Sequence, residues 1–470
     1  MDGTSNPATA ANWAFQGNFA PVGSEDDFVL PVTGDIPREL NGTLFRIGPN
    51  PRFAPRDAGH HWFLGDGMVH ALGIEDGQVH YRNRWVRTPR WNLEDAAGRA
   101  LFGSWGNPMT TDPAARGTDG GVANTNIVWH AGRLLALEEA HRPFALDPAT
   151  VASDGYLTLG DGTVKRFTAH PKIDPVTGEM LFFAYSTGEE MFSAEMSYGV
   201  VGPDGALVRH DRFAAPYCSM VHDLIATERH VLFPVLPLTG SRERAMRGLP
   251  AWAWEPGKGA YLGVMARDAG VETIRWIEMD PCYVFHAMNA WDAGLTIVAD
   301  VVEYPVAPLF PNADGSPGIG AEGRLVRWTI DLATGRVDRQ PIDDAAAEFP
   351  RIDDRRAGLP HRHGFLIADT GTAPEGRQGT IAHHDAVTLR RTDHVLPPGD
   401  SASEMVFVPR SPTAAEGDGW LVGVVHRGAA DRADLVVLDA TDVARGPVAS
   451  ARMPRRIPFG IHGNWVPRVG

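Results

Sequence analysis

Four histidines occupy matching sequence contexts, each within a short apolar or small-residue stretch that continues like a strand. They are His170 in FTAHPKIDP, His222 in SMVHDLIAT, His286 in CYVFHAMNAW and His462 in FGIHGNW. Neutral imidazole binds zinc, copper, iron and nickel, and a set of neutral ligands leaves a divalent ion its full positive charge. The four contexts therefore indicate a metal site built from imidazole alone.

Two other histidine motifs compete for this role. HRH (His361, His363) and HHD (His383, His384, Asp385) have spacings that suit a zinc hydrolase. Both lie in polar stretches rich in Arg, Asp and Gly, which favour solvated loops. The stretch GHHWFLGDGMVH lacks the Lys-Ser/Thr ending of a phosphate-binding loop and indicates a turn before an inner strand.

The segments between these motifs have the length and composition of β-strands. Runs such as QVHYRNRWV, EMLFFAYS and RLVRWTIDL are rich in Val, Ile and aromatic residues, and turn signals such as IEDGQV and DLATGRV separate them. Helical periodicity is sparse, and SRERAMRGL and NLEDAAGRALFG are the better candidates. Many short strands predict an all-β domain, either a barrel, a sandwich or a propeller.

The histidine spacing favours the propeller. The four residues are separated by 52, 64 and 176 positions, so that five steps of about 58 residues lead from His170 to His462. A propeller blade with decorated loops supplies such a step, since bare blades have about 40–50 residues. Seven blades fit into 470 residues and would place equivalent inner-strand positions around one axis.

Composition and charge exclude several functional classes. The 43 basic and 58 acidic residues give a formal net charge of −15, which argues against binding to nucleic acid or to an anionic membrane surface. The two cysteines, Cys218 and Cys282, form no CxxC motif, so we expect a reducing, cytoplasmic environment rather than a disulfide scaffold or a Cys-ligated zinc. Neither a signal peptide nor a membrane-spanning apolar run is predicted.

Ten motifs follow one another in order between about residues 35 and 467. They are FRIGPNPRFAP, HWFLGDGMVHAL, YRNRWVRTPRW, ANTNIVWHAGRLLALEEAHRPFALDP, FTAHPKIDPVTGEM, MVHDLIAT, VFHAMNAWD, EFPRID, SEMVFVPR and PFGIHGNW. Through these motifs the chain resembles the carotenoid cleavage oxygenase family. The resemblance implies a seven-bladed β-propeller with a cap of loops and short helices over the metal face. It also implies a single catalytic domain over residues 35–470, with residues 1–34 as an N-terminal arm packed on the propeller.

The resemblance also implies a role for each matching residue. One Fe(II) per chain, without an organic cofactor, would be bound on the propeller axis by His170, His222, His286 and His462. Metal-bound imidazoles usually donate their second N–H to an acceptor that fixes their orientation. The family uses three glutamates for this purpose, and the matching residues are Glu139, Glu348 and Glu404. Thr125 in ANTNIV matches a threonine whose methyl group crowds one open iron position.

The implied reaction is oxidative cleavage of a C=C bond in an apolar conjugated alkene, with both atoms of dioxygen entering two carbonyl products. Four histidines would fill four positions of an octahedron and leave up to two for dioxygen or water. No side chain is needed as an acid or a base, in agreement with the lack of a legible catalytic triad. The alternatives are a ligand-binding propeller without a metal and the zinc hydrolase built from HRH and HHD.

Bacterial members of the family divide into enzymes for carotenoids or apocarotenoids and enzymes for phenolic stilbenes or phenylpropenes. The phenolic branch recognises the 4-hydroxyl group with a tyrosine and a lysine, and the matching residues here are Trp105 and Glu138, while the shared aromatic Phe63 is present. Glutamate removes a cation that would stabilise a phenolate, and the Trp ring N–H only donates hydrogen bonds. We therefore expect an apolar polyene such as a shortened apocarotenoid, with a stilbenoid or phenylpropenoid as the alternative.

These substrates imply a tunnel beside the metal. Its expected lining residues are Phe63, Trp105, Glu138 and Phe285. Dioxygen and the alkene are the expected partners, and transient membrane contact during substrate uptake stays open. The oligomeric state is not defined by the sequence.

The stretch RIPFGIHGNWVP around His462 is expected to be well ordered. Gly460 and Gly463 would let the backbone turn tightly beside the metal. Phe459 and Trp465 would pack the segment in place.

Overall fold

Short runs rich in branched and aromatic residues form nearly all of the regular structure. The computed structural model describes residues 12–57, 60–104, 110–369 and 379–468, which contain 31 strands and only two α-helices. Helix α1 is Pro89–Ala97 and helix α2 is Arg242–Met246. The prediction of an all-β fold is confirmed.

The strands follow one another in chain order. The first ten are β1 Asp27–Leu30, β2 Val32–Gly34, β3 Gly42–Pro49, β4 Gly67–Glu75, β5 Gln78–Trp85, β6 Asn126–His130, β7 Arg133–Leu137, β8 Phe144–Leu146, β9 Ser153–Tyr156 and β10 Lys172–Ile173. The next ten are β11 Met180–Tyr185, β12 Glu195–Val201, β13 Leu207–Ala214, β14 Ile225–Ala226, β15 His230–Val235, β16 Leu238–Gly240, β17 Trp252–Trp254, β18 Ala260–Ala266, β19 Arg275–Met279 and β20 Tyr283–Ala293. The last eleven are β21 Thr296–Tyr304, β22 Arg324–Asp331, β23 Val337–Ile352, β24 His363–Asp369, β25 Thr380–Asp385, β26 Arg390–Val395, β27 Ser401–Pro409, β28 Gly419–Arg427, β29 Arg432–Asp439, β30 Pro447–Arg452 and β31 Gly463–Pro467.

Antiparallel pairing arranges these strands into the seven blades of a β-propeller. Blade 1 has the order β31-β3-β4-β5, blade 2 is β6–β9, blade 3 is β10–β13, and blade 4 has the order β14-β15-β18-β19. Strand β23 belongs to two blades, because its first part pairs with β22 and its second part pairs with β24. Blade 5 is therefore β20–β23, blade 6 is β23–β26 and blade 7 is β27–β30. The predicted seven-bladed propeller is confirmed.

Both ends of the described chain take part in closing the ring. Strand β31 pairs with β3 as the innermost strand of blade 1, and β2 pairs with β30 as the outermost strand of blade 7. Strand β1 extends blade 1 by pairing with β5. Residues 27–34 are thus sheet members, and the predicted division of the chain between residues 34 and 35 stays a prediction.

The hydrophobic core lies between the faces of neighbouring blades. Blades 1 and 7, for example, share a cluster that includes Leu72 and Tyr81 from one blade and Val422 and Leu435 from the other. Burial of such side chains contributes about 1.5–3 kcal/mol each. Adjacent blades therefore hold one another, and every inner strand is fixed from both sides.

The cap over one end of the ring consists of insertions between blade strands and of the segment before β1. The hairpin β16–β17 and helix α2 lie between β15 and β18, and helix α1 lies between β5 and β6. Short 3-10 turns at Trp13–Phe15, Gly17–Phe19 and Trp62–Leu64 add aromatic side chains to the same region. These elements form the predicted cap of loops and short helices.

Two glycines beside His462 serve a different purpose from the one expected. Neither Gly460 nor Gly463 has a positive φ, so the expectation that they permit a tight turn is wrong. A Cβ atom at Gly463 would lie 2.7 Å from the carbonyl oxygen of Phe45, and one at Gly460 would lie 2.9 Å from that of Ile47. Glycine is required here because the chain passes very close to β3.

We predict that Gly463→Ala destabilises the propeller by about 1–3 kcal/mol, because the new methyl group forces β31 away from β3. Urea-induced unfolding measures this change in the free energy of unfolding. Gly23→Ala is the control, since a Cβ at Gly23 meets no atom within 4 Å. Equal stability of Gly463→Ala and wild type would contradict the close approach.

Candidate metal centre

The four histidines of the matching contexts come together in the middle of the ring, although each belongs to a different blade. His462 directly precedes the inner strand β31, His170 and His222 lie two and three residues before the inner strands β10 and β14, and His286 lies within β20. Their ligand nitrogens all lie within 4.8 Å of one another, and the residues are only 4–8% exposed. The fold thus brings together residues that are far apart in the sequence.

In the other three blades, different residues occupy the inner-strand positions that correspond to the four histidines. Thr125 directly precedes the inner strand β6, while Glu348 and Glu404 lie on the inner strands of blades 6 and 7. The interval of 176 residues between His286 and His462 is therefore divided into steps of 62, 56 and 58 residues. The spacing of about 58 residues seen in the sequence is the spacing of the blades.

Three of the imidazoles donate a hydrogen bond from Nδ1 to a glutamate. The pairs are His222 with Glu139, His286 with Glu348 at 2.6 Å and His462 with Glu404 at 3.0 Å. An ionised carboxylate only accepts hydrogen bonds, so each pair keeps the proton on Nδ1. The Nε2 lone pair of each ring is consequently free to bind a cation.

The Nε2 atoms of the four histidines fit a bound metal ion. Nε2 of His286 and Nε2 of His462 are buried and have no hydrogen-bond partner among the described residues, and Nε2 of His170 lies 3.0 Å from Nε2 of His222. Buried polar atoms are normally paired, and lone pairs that face one another repel. A divalent cation bound by four imidazoles would satisfy all four atoms, and the donor set suits iron, zinc, copper or nickel.

Two of the three glutamates are themselves held by donors that sequence reasoning missed. The Tyr185 hydroxyl donates to Glu139, and the Tyr304 hydroxyl donates to Glu348 Oε1 at 2.8 Å. Burial raises the pKa of both phenols well above the ordinary value, so they remain protonated donors. Each tyrosine lies more than 40 residues from its glutamate, and no local sequence signal connects them.

Electrostatic interactions keep Glu404 charged, and burial keeps the imidazole of His462 neutral. Burial raises the pKa of Glu404, but His462 and Arg351 outweigh this effect and hold the pKa at about 2. Burial lowers the pKa of His462 despite the nearby Glu404, and burial together with the other three imidazoles lowers the pKa of His170 well below its ordinary value. Neutral imidazole is the form that binds a metal.

Irregular backbone aims the glutamates. The ladder between β23 and β24 shifts register after Glu348, and Phe349 has a φ of 52°. Ala140, which follows Glu139, has a φ of 77°. Left-handed conformations are costly for residues other than glycine and persist where the surroundings enforce them. Here the Phe349 ring stacks on His286 at 5.7 Å and lies 5.6 Å from His462.

A cavity of about 820 Å³ reaches His222 and His286 from the cap side. Thr125 lines it, and its hydroxyl group donates to Asn124 Oδ1 at 2.9 Å. Asn124 in turn donates to the carbonyl oxygens of Phe63 and Gly65, both at 2.7 Å. Asn124 thus connects the Thr125 hydroxyl to the loop that carries Phe63.

Three of the four residues expected in the substrate tunnel line this cavity: Phe63, Glu138 and Phe285. The Phe285 ring lies edge-on to His222 at 5.0 Å. Trp105 lies outside the described residues. Sequence reasoning missed other aromatic residues of the cavity, including Trp62, Trp252 and Phe349.

The histidines of HRH and HHD form no comparable site. His363 Nδ1 lies 2.9 Å from His383 Nε2, while His361 lies against Asp300. Within the described ranges, the only group of three or more His, Cys, Asp or Glu residues placed to share a metal is the four-histidine group. The geometry does not support the zinc hydrolase alternative.

The model of the retinal pigment epithelial membrane protein (RPE65) family matches residues 19–467. The chain belongs to the carotenoid cleavage oxygenase family. It is 38% identical to isoeugenol monooxygenase from Pseudomonas nitroreducens, over 96% of this chain and 97% of the relative. It is 34% identical to carotenoid cleavage oxygenase from Mycobacterium tuberculosis, over 99% of both chains. The structure of lignostilbene dioxygenase from Pseudomonas brassicacearum matches with a TM-score of 0.93 and 35% identity, covering 97% of this chain and 99% of the other.

Membership of the carotenoid cleavage oxygenase family defines the type of reaction. The chain is an oxidoreductase of the alkene-cleaving type, with dioxygen and an alkene as its reactants. The family is iron-dependent, and the four-histidine group has the donor set that such an iron requires. Within the described ranges, no helix combines the length and the apolar character needed to cross a bilayer.

We predict that His462→Ala weakens metal binding by at least about 100-fold, because one of the four nitrogens is removed. Metal content after purification and dialysis measures the loss. His384→Ala is a matched control, since His384 is also buried but lies on blade 6 outside the group. Full metal retention by His462→Ala would remove His462 from the ligand set.

We predict a smaller effect for Glu348→Gln. The glutamine removes the negative charge that holds the Nδ1 proton of His286, and metal affinity should fall about 10–100-fold. A competitive chelator titration measures the affinity. Glu303→Gln, which alters a carboxylate bonded to Trp328 Nε1 at 2.7 Å, should leave it unchanged. Wild-type affinity in Glu348→Gln would show that the carboxylate does not support the metal.

Proposed function

We propose that this chain is a non-haem Fe(II) dioxygenase that cleaves the C=C bond of a stilbenoid or phenylpropenoid into two carbonyl products, at least one of them an aromatic aldehyde. The observation that carries the proposal is the convergence of four buried imidazoles beside a cavity with many aromatic residues. His170, His222, His286 and His462 would hold one iron per chain. Glu139, Glu348 and Glu404 would orient three of these ligands.

The comparisons support an aromatic substrate more than the polyene expected from the sequence. Isoeugenol monooxygenase is more similar in sequence than the mycobacterial carotenoid cleavage oxygenase, at 38% against 34% identity. The lignostilbene dioxygenase structure also superposes over nearly the whole chain. We therefore place the stilbenoid or phenylpropenoid substrate ahead of an apocarotenoid.

Glu138 has a structural role in the cavity wall. Glu138 Oε1 accepts hydrogen bonds from the backbone N–H groups of Val122 and Ala123 at 2.7 and 2.9 Å, so this side chain supports the cavity wall. His141 lies beside it in the same wall, with Nδ1 3.4 Å from Glu138 Oε2. Burial lowers the pKa of His141, but Glu138 and Asp119 outweigh it and raise the pKa to about 8. The wall therefore contains an imidazole whose protonated form is favoured by Glu138 and Asp119, although the lysine is absent.

The residues of the chain would bind and orient the substrate rather than exchange protons with it. Bound Fe(II) would supply the activation of dioxygen next to the alkene. Phe285 and Phe349 pack against the imidazoles and limit the access of water. Thr125 lines the cavity near them and would restrict how closely a substrate approaches.

We predict that iron-loaded protein converts 4-hydroxystilbene, but not an apocarotenal, into carbonyl products under air. With ¹⁸O₂, both carbonyl products should carry the label when they are trapped before exchange with water. Mass spectrometry of the products measures both results, and protein stripped of metal is the control. Products from the apocarotenal alone would refute the aromatic substrate. Zinc in place of iron, with no product from either compound, would refute the dioxygenase.

A further inference from the structure

Polar side chains near the candidate ligands join several inner strands to a neighbouring blade. Asn126 Nδ2 donates to the carbonyl oxygen of Ala169 at 2.8 Å, which connects blade 2 to the residue before His170. Asn464 Nδ2 donates to the carbonyl oxygen of Ile127 at 2.7 Å, which connects blade 1 to blade 2. These side chains line a second cavity, of about 470 Å³, that reaches the histidine group.

Asp223 makes the most extensive of these connections. It follows His222 directly and is only 2% exposed. Its Oδ1 forms an ion pair with Lys172 Nζ at 2.6 Å, and its Oδ2 accepts a hydrogen bond from the backbone N–H of Ala287 at 2.9 Å. Lys172 stands two residues after His170, and Ala287 stands one residue after His286. One carboxylate therefore ties together the chain segments of three candidate ligands.

The partners of Asp223 need this carboxylate for separate reasons. The ladder between β20 and β21 shifts register on both sides of Ala287, so the backbone there does not follow regular pairing. Asp223 accepts the hydrogen bond of its N–H group, which fixes the irregular segment that carries His286. The charge of the buried carboxylate is in turn compensated by Lys172.

We propose that Asp223 is a positioning residue of the metal centre, which sets the spacing of His170, His222 and His286 by holding their three chain segments in register. Hydrogen bonds beyond the direct ligands orient a metal site and determine its affinity. The proposal rests on the four-histidine metal site of the proposed function and is independent of the substrate.

Asp223→Asn tests this role, because asparagine keeps the shape but removes the charge, and in either orientation of the amide its NH₂ group faces a donor. We expect Co(II), used as a probe, to bind about tenfold more weakly to the variant in a chelator competition. The visible absorption spectrum of the Co(II)-loaded variant should also shift, since the ligand geometry is altered. The far-UV circular dichroism of the metal-free protein should be retained.

Lys172→Met is the second variant, since it removes the partner charge at a side chain that is 28% exposed. It should shift the Co(II) spectrum in the same direction, and the double variant should bind Co(II) no more weakly than Asp223→Asn, because the two residues act as a unit. If Asp223→Asn does not fold, Lys172→Met decides the question. A wild-type affinity and spectrum in Lys172→Met would then overturn the proposal.

Asp300→Asn is a matched control. Asp300 is fully buried and accepts hydrogen bonds from Arg327 at 2.7 and 2.9 Å, but this pair lies between β21 and β22, away from the ligands. We expect a lower melting temperature with unchanged Co(II) affinity and spectrum. Wild-type Co(II) binding by folded Asp223→Asn, or an equal loss in Asp300→Asn, would overturn the proposal. Failure to cleave any alkene would refute the proposed function and leave this inference standing.

Discussion

Four buried imidazole nitrogens face one another in the centre of the propeller, and their mutual repulsion constrains the surrounding structure. Nε2 of His286 and Nε2 of His462 have no protein partner among the described residues, while Nε2 of His170 and His222 are 3.0 Å apart. The arrangement is favourable only if each ring keeps its proton on Nδ1 and a cation binds the lone pairs. The glutamates that hold three of these protons are therefore part of what makes the group a metal site.

The propeller suits this constraint because it presents one inner strand from each blade to a common centre. Regular strands alone would not aim the side chains correctly, and register shifts occur at His286, Glu348 and Glu404. The left-handed Phe349 then turns the chain so that Glu348 reaches one histidine while the phenylalanine ring packs on two. The left-handed backbone at Phe349 costs free energy, and it persists because the packed blades around it enforce this conformation.

The sequence predicted the parts of this site that have a local signature. The contexts of the four histidines singled out the group, and the step of about 58 residues with the strand-like segments favoured a propeller. The resemblance to the carotenoid cleavage oxygenase family implied the seven blades and the metal on their axis. Tyr185, Tyr304 and Asp223 were missed, because each contacts a residue distant in the chain and has no distinctive neighbours. The reason for Gly463 was also misjudged, since a close approach to β3 depends on ring closure and not on the local turn.

Ring closure by β31 against β3 makes the metal site a property of the whole molecule. His170, His222, His286 and His462 come from four blades, so an unfolded or opened ring offers no comparable set of nitrogens. By thermodynamic linkage, a metal that binds only the closed ring raises its stability in proportion to the logarithm of free metal concentration. The rate at which a chelator removes the metal should thus report how often the propeller opens.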